Sequence, residues 1–229
     1  MRDFVVKIFV RLGLYQSVVD VVNRIKEAGQ ARRMHRDGLE MLTAADKVFS
    51  QLGARVFLTY GALLGAYREH GFIPYDPDLD LGVLDSEMPA DIHEQMTKAG
   101  FKLLRQNYIA STGQICEETY EYKKIHLDIF LYFREGNDLY SVLQYKHETK
   151  DWKEANATDG FPCKRSYVPY CEFERRDFLG LQIFMPKNTP GWLSAIYSDS
   201  YMTPIKNWSS KYYKTRITPI VDRSYRRYF

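Results

Sequence analysis

From Gly61 to Leu81 the chain reads GALLGAYREHGFIPYDPDLDL, and no other stretch restricts the fold as strongly. Val56, Phe57 and Leu58 precede it as a short apolar run with the character of a buried strand. Gly61 then breaks the strand, and Ala62 to Arg68 has the composition of a helix packed tightly against it. Gly71-Phe72-Ile73-Pro74 is a loop. Beyond it Leu79, Leu81 and Val83 alternate with Asp78, Asp80 and Gly82, the period of a strand that carries its acids on one face. The order is strand, glycine turn, short helix, loop and acid-bearing strand.

Two carboxylates one residue apart on a strand point the same way, so Asp78 and Asp80 can grip one cation. Magnesium, or manganese in its place, suits such hard oxygen donors and retains some of its waters. The turn at Gly61 exposes backbone N–H groups at a helix start, where a phosphate can sit. A two-metal clamp needs a third acid. Asp128 is the candidate because it interrupts the apolar run His126-Leu127-Asp128-Ile129-Phe130-Leu131, where a carboxylate without a metal or partner is costly to bury. Each element alone is a weak signal: Asp-x-Asp is usually a solvated turn, and Gly-x-x-x-Gly is often just close helix packing. Their order, with Asp128 downstream, carries the functional reading.

The remaining chain reads more coarsely. Phe4, Val5, Ile8, Phe9 and Leu12 fall on one helical face beside Arg2, Lys7 and Arg11. A second helix is expected from about Arg33 to Leu52, closed by Gly53. Ser86 is placed to cap a helix that Gly100 ends. Strands are expected between Phe101 and Phe133 and from Leu139 to Tyr145, followed by a polar, irregular stretch up to Phe178. Thr189-Pro190 starts a further helix. Without repeats or a composition boundary, 1–229 is read as a single domain with 1–30 as a helical appendage.

Composition excludes several classes. A net charge of +3 on 229 residues does not argue for nucleic acid as a partner. Aromatic residues at 15% are read chiefly as core and rim packing, with sugar stacking as the alternative. Cys116, Cys163 and Cys171 fit neither a disulfide framework nor a zinc ribbon; with His147 they lack ligand spacing and are read as free thiols. The N-terminal segment lacks a cleavage site, and no run approaches the ~20 apolar residues of a membrane span. The expected location is cytoplasmic. The N-terminal amphipathic segment is read as packed on the domain, with peripheral contact at the inner face of the membrane as the alternative.

The stretch Gly61–Leu81 resembles the signature of the LicD family, approximately GTLLGAxRxxGFIPWDDDIDI, which includes bacterial phosphorylcholine transferases and is related to fukutin and fukutin-related proteins. His126 to Phe130 is similar to the family's later acid-bearing strand. Tyr197-Ser198-Asp199-Ser200-Tyr201-Met202-Thr203-Pro204 is more loosely similar to a C-terminal YGDxxMxP element. The resemblance implies an α/β (α+β) nucleotidyltransferase fold, a mixed sheet with flanking helices and extra N-terminal helices. It also implies transfer of phosphocholine or a polyol phosphate from a CDP-activated donor to a glycan acceptor, releasing CMP, as in capsule or lipopolysaccharide decoration. It makes Asp78, Asp80 and Asp128 catalytic acids and metal ligands, and it aligns Gly61, Ala62, Arg68 and Asp76 with substrate- or nucleotide-binding positions. Three departures stand out: Ala62 replaces a hydroxyl residue, Pro77 replaces an acid, and Tyr75 replaces tryptophan. Asp128 is read as either the base for the acceptor proton or a pure metal ligand. Rival readings are an NTP-dependent nucleotidyltransferase, a catalytically inactive binding module on the same scaffold and, more weakly, an Asp-x-Asp glycosyltransferase.

Overall fold

The computed structural model describes residues 15–205 and 217–229. Helix α1 (Tyr15–Gln51) leads into β1 (Val56–Leu58), α2 (Tyr60–Leu64) with a π-helical turn over Gly65–Glu69, and β2 (Asp78–Leu84). Then come α3 (Ile92–Lys98), β3 (Lys102–Ile109), β4 (Ile115–Tyr122), β5 (Ile125–Glu135) and β6 (Asp138–Gln144). The last elements are α4 (Trp152–Ala157), β7 (Phe161–Pro169), β8 (Phe173–Phe178), β9 (Leu181–Pro186), α5 (Thr189–Tyr197) and β10 (Ile217–Tyr228). The fold is α+β with a mixed sheet, as the sequence indicated.

The strands run in the order β4-β3-β10-β7-β6-β5-β2-β1-β9-β8, and β4 also pairs with β5. The six strands β5-β4-β3-β10-β7-β6 therefore close into a ring, because β5 pairs with β4 over Ile125–Phe130 and with β6 over Phe133–Glu135. β2 joins this ring along the other edge of β5, in parallel register, and β1 and β9 extend it. Gly82 is required where β2 crosses β1, since a Cβ there would overlap the Phe57 ring.

α1 buries Ala31, Met34, Met41, Leu42, Ala45, Val48 and Phe49, the i, i+3, i+4 spacing of one helical face, against β1, β2 and β5. His35 Nε2 lies 3.3 Å from the carbonyl oxygen of Ile73, which ties the helix to the loop before β2. Among the described residues no helix is long and apolar enough to cross a membrane.

Several expectations change. The helix expected from Arg33 begins at Tyr15 and runs unbroken through Gly29, because surrounding helix formers outweigh one glycine. The cap expected at Ser86 is instead a short 3-10 turn, and α3 starts after Asp91. The stretch expected to be irregular holds α4, β7 and β8; β7 pairs with β6 on one edge and β10 on the other, and that pairing overrides its polar composition. The basic C-terminal stretch, whose Arg223, Arg226 and Arg227 read equally as an anion-attracting surface or a solvated one, forms a strand of the ring over Ile217–Tyr228. The amphipathic segment Phe4–Leu12 and the basic residues Lys211, Lys214 and Arg216 lie outside the described residues.

Candidate active site

The acids meet because of register. β2 and β5 run parallel, with Asp78 beside His126 and Asp80 beside Asp128. Alternation then places Asp78, Asp80, His126 and Asp128 on one face. α2 begins beside them, where Gly61 N–H donates to Asp80 Oδ2 at 3.1 Å. This changes the expected use of the turn, because the Gly61 N–H serves a carboxylate rather than standing open to a phosphate. Ala62 is buried and does not line the cleft. Gly65 lets the π-helical turn press on the next loop: a Cβ would lie 2.6 Å from the Gly71 carbonyl oxygen.

Asp76, Asp78 and Asp80 open into a cleft of about 280 Å³ lined also by Tyr60, Arg68, Tyr75, Phe130, Tyr197 and Tyr201. None of the three has a basic group within 4.0 Å among the described residues, and Asp76 and Asp78 hydrogen-bond each other. Burial pushes Asp76 up to about 6. Burial and then the Asp76 charge push Asp78 up to about 7. Asp80 is driven well above the usual carboxylate range by burial, then by Asp78, Asp76 and Asp128. Such mutual repulsion is what a cation relieves. As placed, no three His, Cys, Asp or Glu side chains among the described residues form a ready metal cage. The donor set still fits a hard divalent cation: clustered carboxylate oxygens without basic partners, beside a cleft.

Asp128 is held differently. Thr119, its cross-strand neighbour on β4, donates to Oδ1, and Arg105 Nη2 lies 3.7 Å from the same oxygen. Burial pushes Asp128 up to about 6, against the pull of Arg105. Arg105 also pairs with Glu117 at 3.0 Å, and Asn107 holds the other Glu117 oxygen at 2.8 Å. Sequence reading missed Arg105, Glu117 and Thr119, since only the β3-β4-β5 register brings them to Asp128.

Arg68 lines the cleft, but its Nη1 donates to the Tyr201 carbonyl oxygen at 2.9 Å and its Nε to Glu69 at 2.7 Å. It thus fastens the segment after α5, and Tyr197, Ser200, Tyr201 and Thr203 of the C-terminal motif reach the cleft. Asp199 is exposed and accepts from Ser194, a helix-end contact. His126 is half-buried, and burial lowers its pKa. The three cysteines are free, and His147 faces Asp159 at 3.2 Å.

Residues 53–188 match the family described as LicD/FKTN/FKRP, nucleotidyltransferase domain. The chain belongs to this family. It is 28% identical over 181 residues to ribitol-5-phosphate transferase FKTN of Mus musculus, covering 79% of this chain and 36% of that protein. The human protein of that name is 25% identical over 191 residues, covering 83% and 38%. An uncharacterised protein of Caenorhabditis elegans is 30% identical over 192 residues, covering 81% and 47%. The chain thus spans between a third and a half of the length of these relatives.

Proposed function

We propose that this chain is a metal-dependent phosphotransferase that moves a polyol phosphate from a CDP-activated donor to a glycan acceptor, with release of CMP. The observation that carries the reading is the register that sets Asp128 beside Asp80, while Asp80 itself lines the cleft with Asp76 and Asp78. The relatives named ribitol-5-phosphate transferase favour a polyol phosphate over phosphocholine.

Asp78 and Asp80 are the residues to hold magnesium, with Asp76 beside them and Asp128 as a further ligand or the base. Bound there, the metal would neutralise charge developing on the transferred phosphoryl group. The acceptor hydroxyl oxygen attacks the phosphorus that carries the alcohol, and the bond from that phosphorus to the bridging oxygen breaks, freeing CMP. The hydroxyl proton passes to Asp128. Its Oδ1 is anchored by Thr119 and Arg105, while Oδ2 has no hydrogen-bond partner among the described residues. A pKa pushed up to about 6 suits a base working near neutral pH. The exposed Tyr75 and the half-buried Tyr197 and Tyr201 offer ring faces to a sugar.

The test is a donor screen with purified protein, magnesium, a panel of CDP-alcohols and NTPs, and phosphorus NMR of the product. CMP release with a phosphodiester joining glycan and alcohol supports the reading. Pyrophosphate release with a nucleotide on the product would replace it with nucleotidyl transfer. Tight donor binding without turnover under every condition would favour a binding module.

A further inference from the structure

Beside Asp128 on the strand ring lies a pair of arginines, of which the transfer step uses only the hold of Arg105 on Asp128. Arg105 on β3 and Arg226 on β10 belong to paired strands, where Arg226 stands opposite Asn107 and Tyr228 opposite Arg105. Arg105 directs Nη2 at Glu117 and Asp128, yet its Nε is buried without a hydrogen-bond partner. A quarter of its side chain remains open to solvent, so a ligand can reach it.

Arg226 is built into place more firmly. Its guanidinium carbon sits 4.0 Å from the centre of the Trp152 ring and 4.9 Å from that of Phe161. Its Nε donates to Gln144 Oε1 at 2.9 Å, and Asn156 clasps its backbone through both N–H and C=O, at 2.6 and 2.9 Å. Yet no carboxylate lies within 4.0 Å of it among the described residues. Burial, then the charge on Arg105, lowers its pKa. Stacking, a neutral amide and Tyr228 fix the fork's position, and no carboxylate pairs with it directly; the Arg105 charge opposes it while Glu117 attracts it from beyond pairing distance. An anion would complete this arrangement.

We propose that Arg105 and Arg226 form an anion subsite beside Asp128 that binds a phosphate group of a substrate. Paired guanidinium forks match the oxygens of a phosphate dianion in both charge and shape. Glu117 and Asp128 pair with Arg105 within 4.0 Å and reach Arg226 only from farther off, so Arg226 is the fork with room for a direct anionic partner. The phosphate belongs either to the donor's diphosphate or to a phosphate monoester carried by the acceptor. This inference rests on the phosphotransferase reading for its ligand class, but its test needs no turnover.

Titration calorimetry on the full chain with inorganic phosphate, CDP, glucose 6-phosphate and glucose as the uncharged control tests it. Arg226→Gln is the main variant, because it strands no buried carboxylate, whereas Arg105→Gln would strand Glu117. Arg134→Gln, at a surface arginine stacked on Tyr170, is the control. Phosphate affinity is expected to fall at least tenfold in Arg226→Gln and to hold in Arg134→Gln. A matching loss for CDP assigns the subsite to the donor, and a loss confined to glucose 6-phosphate assigns it to the acceptor. Should Arg226→Gln fail to fold, phosphate protection of Arg226 against phenylglyoxal, read by peptide mass, reports occupancy of the same subsite on the wild-type chain. Equal phosphate binding by variant and wild type, or no binding and no protection, overturns the proposal. Phosphate bound at Arg226 without any CMP release would instead leave the subsite standing and count against the transferase reading.

Discussion

Gly61 and Asp76 are packed so closely that any Cβ at position 61 would overlap Asp76 Oδ2, with Asp80 Oδ2 3.3 Å away. The glycine therefore makes room for two carboxylates at once while its N–H holds one of them. Gly61→Ala is expected to push the Asp76 carboxylate aside and disturb Asp80. Displacement of this size at a reacting site costs roughly 10²-fold in rate. The obstructing atom ends a short side chain that can turn, so stability should change by no more than about 1 kcal/mol. Turnover and thermal melting measured together check this; a normal rate would remove Gly61 from the site.

The acid cluster makes the metal-free protein sensitive to pH. Asp76 and Asp78 have folded-state pKa values pushed up to about 6 and about 7, above the ordinary 3.8, so the folded state holds its protons more tightly than the unfolded chain. Their stabilising contribution is present below pH ~4, where both states are protonated, and is lost as pH rises through 6 to 7. Without metal, the melting temperature should fall between pH 5 and pH 8. Magnesium should restore it at pH 8 in the wild type, since a ligand of the folded state alone stabilises it. Asp78→Asn and Asp80→Asn should abolish turnover, flatten the pH dependence and lose most of the magnesium effect. A melting temperature that rises with pH in the metal-free wild type would contradict the repulsion described for this cluster.

The near half of the site was legible because it is local. Gly61, Asp76, Asp78 and Asp80 lie within twenty-one residues whose order alone dictates a turn, a helix and an alternating strand. Asp128 was legible by its misfit in an apolar run. Thr119, Glu117 and Arg105 were not, since an acid or hydroxyl in an amphipathic strand reads as surface until the β3-β4-β5 register is known. Likewise Ile217–Tyr228 reads as a basic tail, and only its pairing with β3 and β7 turns Arg226 toward the ring. The helix at Thr189 was found because Pro190 suits a first turn, and Asn188 adds a cap that accepts from the Gly191 N–H.

Thr119 gives a test of Asp128 that leaves the acid itself in place. Thr119→Val keeps the volume and the β-branch but removes the hydroxyl that donates to Oδ1. That donation favours the charged carboxylate, so its loss raises the Asp128 pKa further. If Asp128 takes the acceptor proton, the acidic limb of the kcat/KM profile moves to higher pH. Turnover then falls by part of the ~10²–10⁴-fold that a positioned base supplies. An unmoved acidic limb together with weaker magnesium binding would make Asp128 a metal ligand only.

Arg68 separates binding from chemistry. Its side chain is 8% exposed and its guanidinium donates to the Tyr201 carbonyl oxygen, so it acts on a segment that lines the cleft. A hydrogen bond from a charged group contributes roughly 1.5–3 kcal/mol. Arg68→Gln should therefore loosen Tyr197–Thr203 and raise KM about tenfold or more, with kcat changed much less, because no acid loses its place. The same variant should be cut faster by protease between Ser198 and Ile205. Arg68→Lys, which keeps the charge without the fork, should fall between the two if the contact to Tyr201 is what counts. A large fall in kcat at constant KM, with protease resistance intact, would instead place the guanidinium on the transferred phosphoryl group.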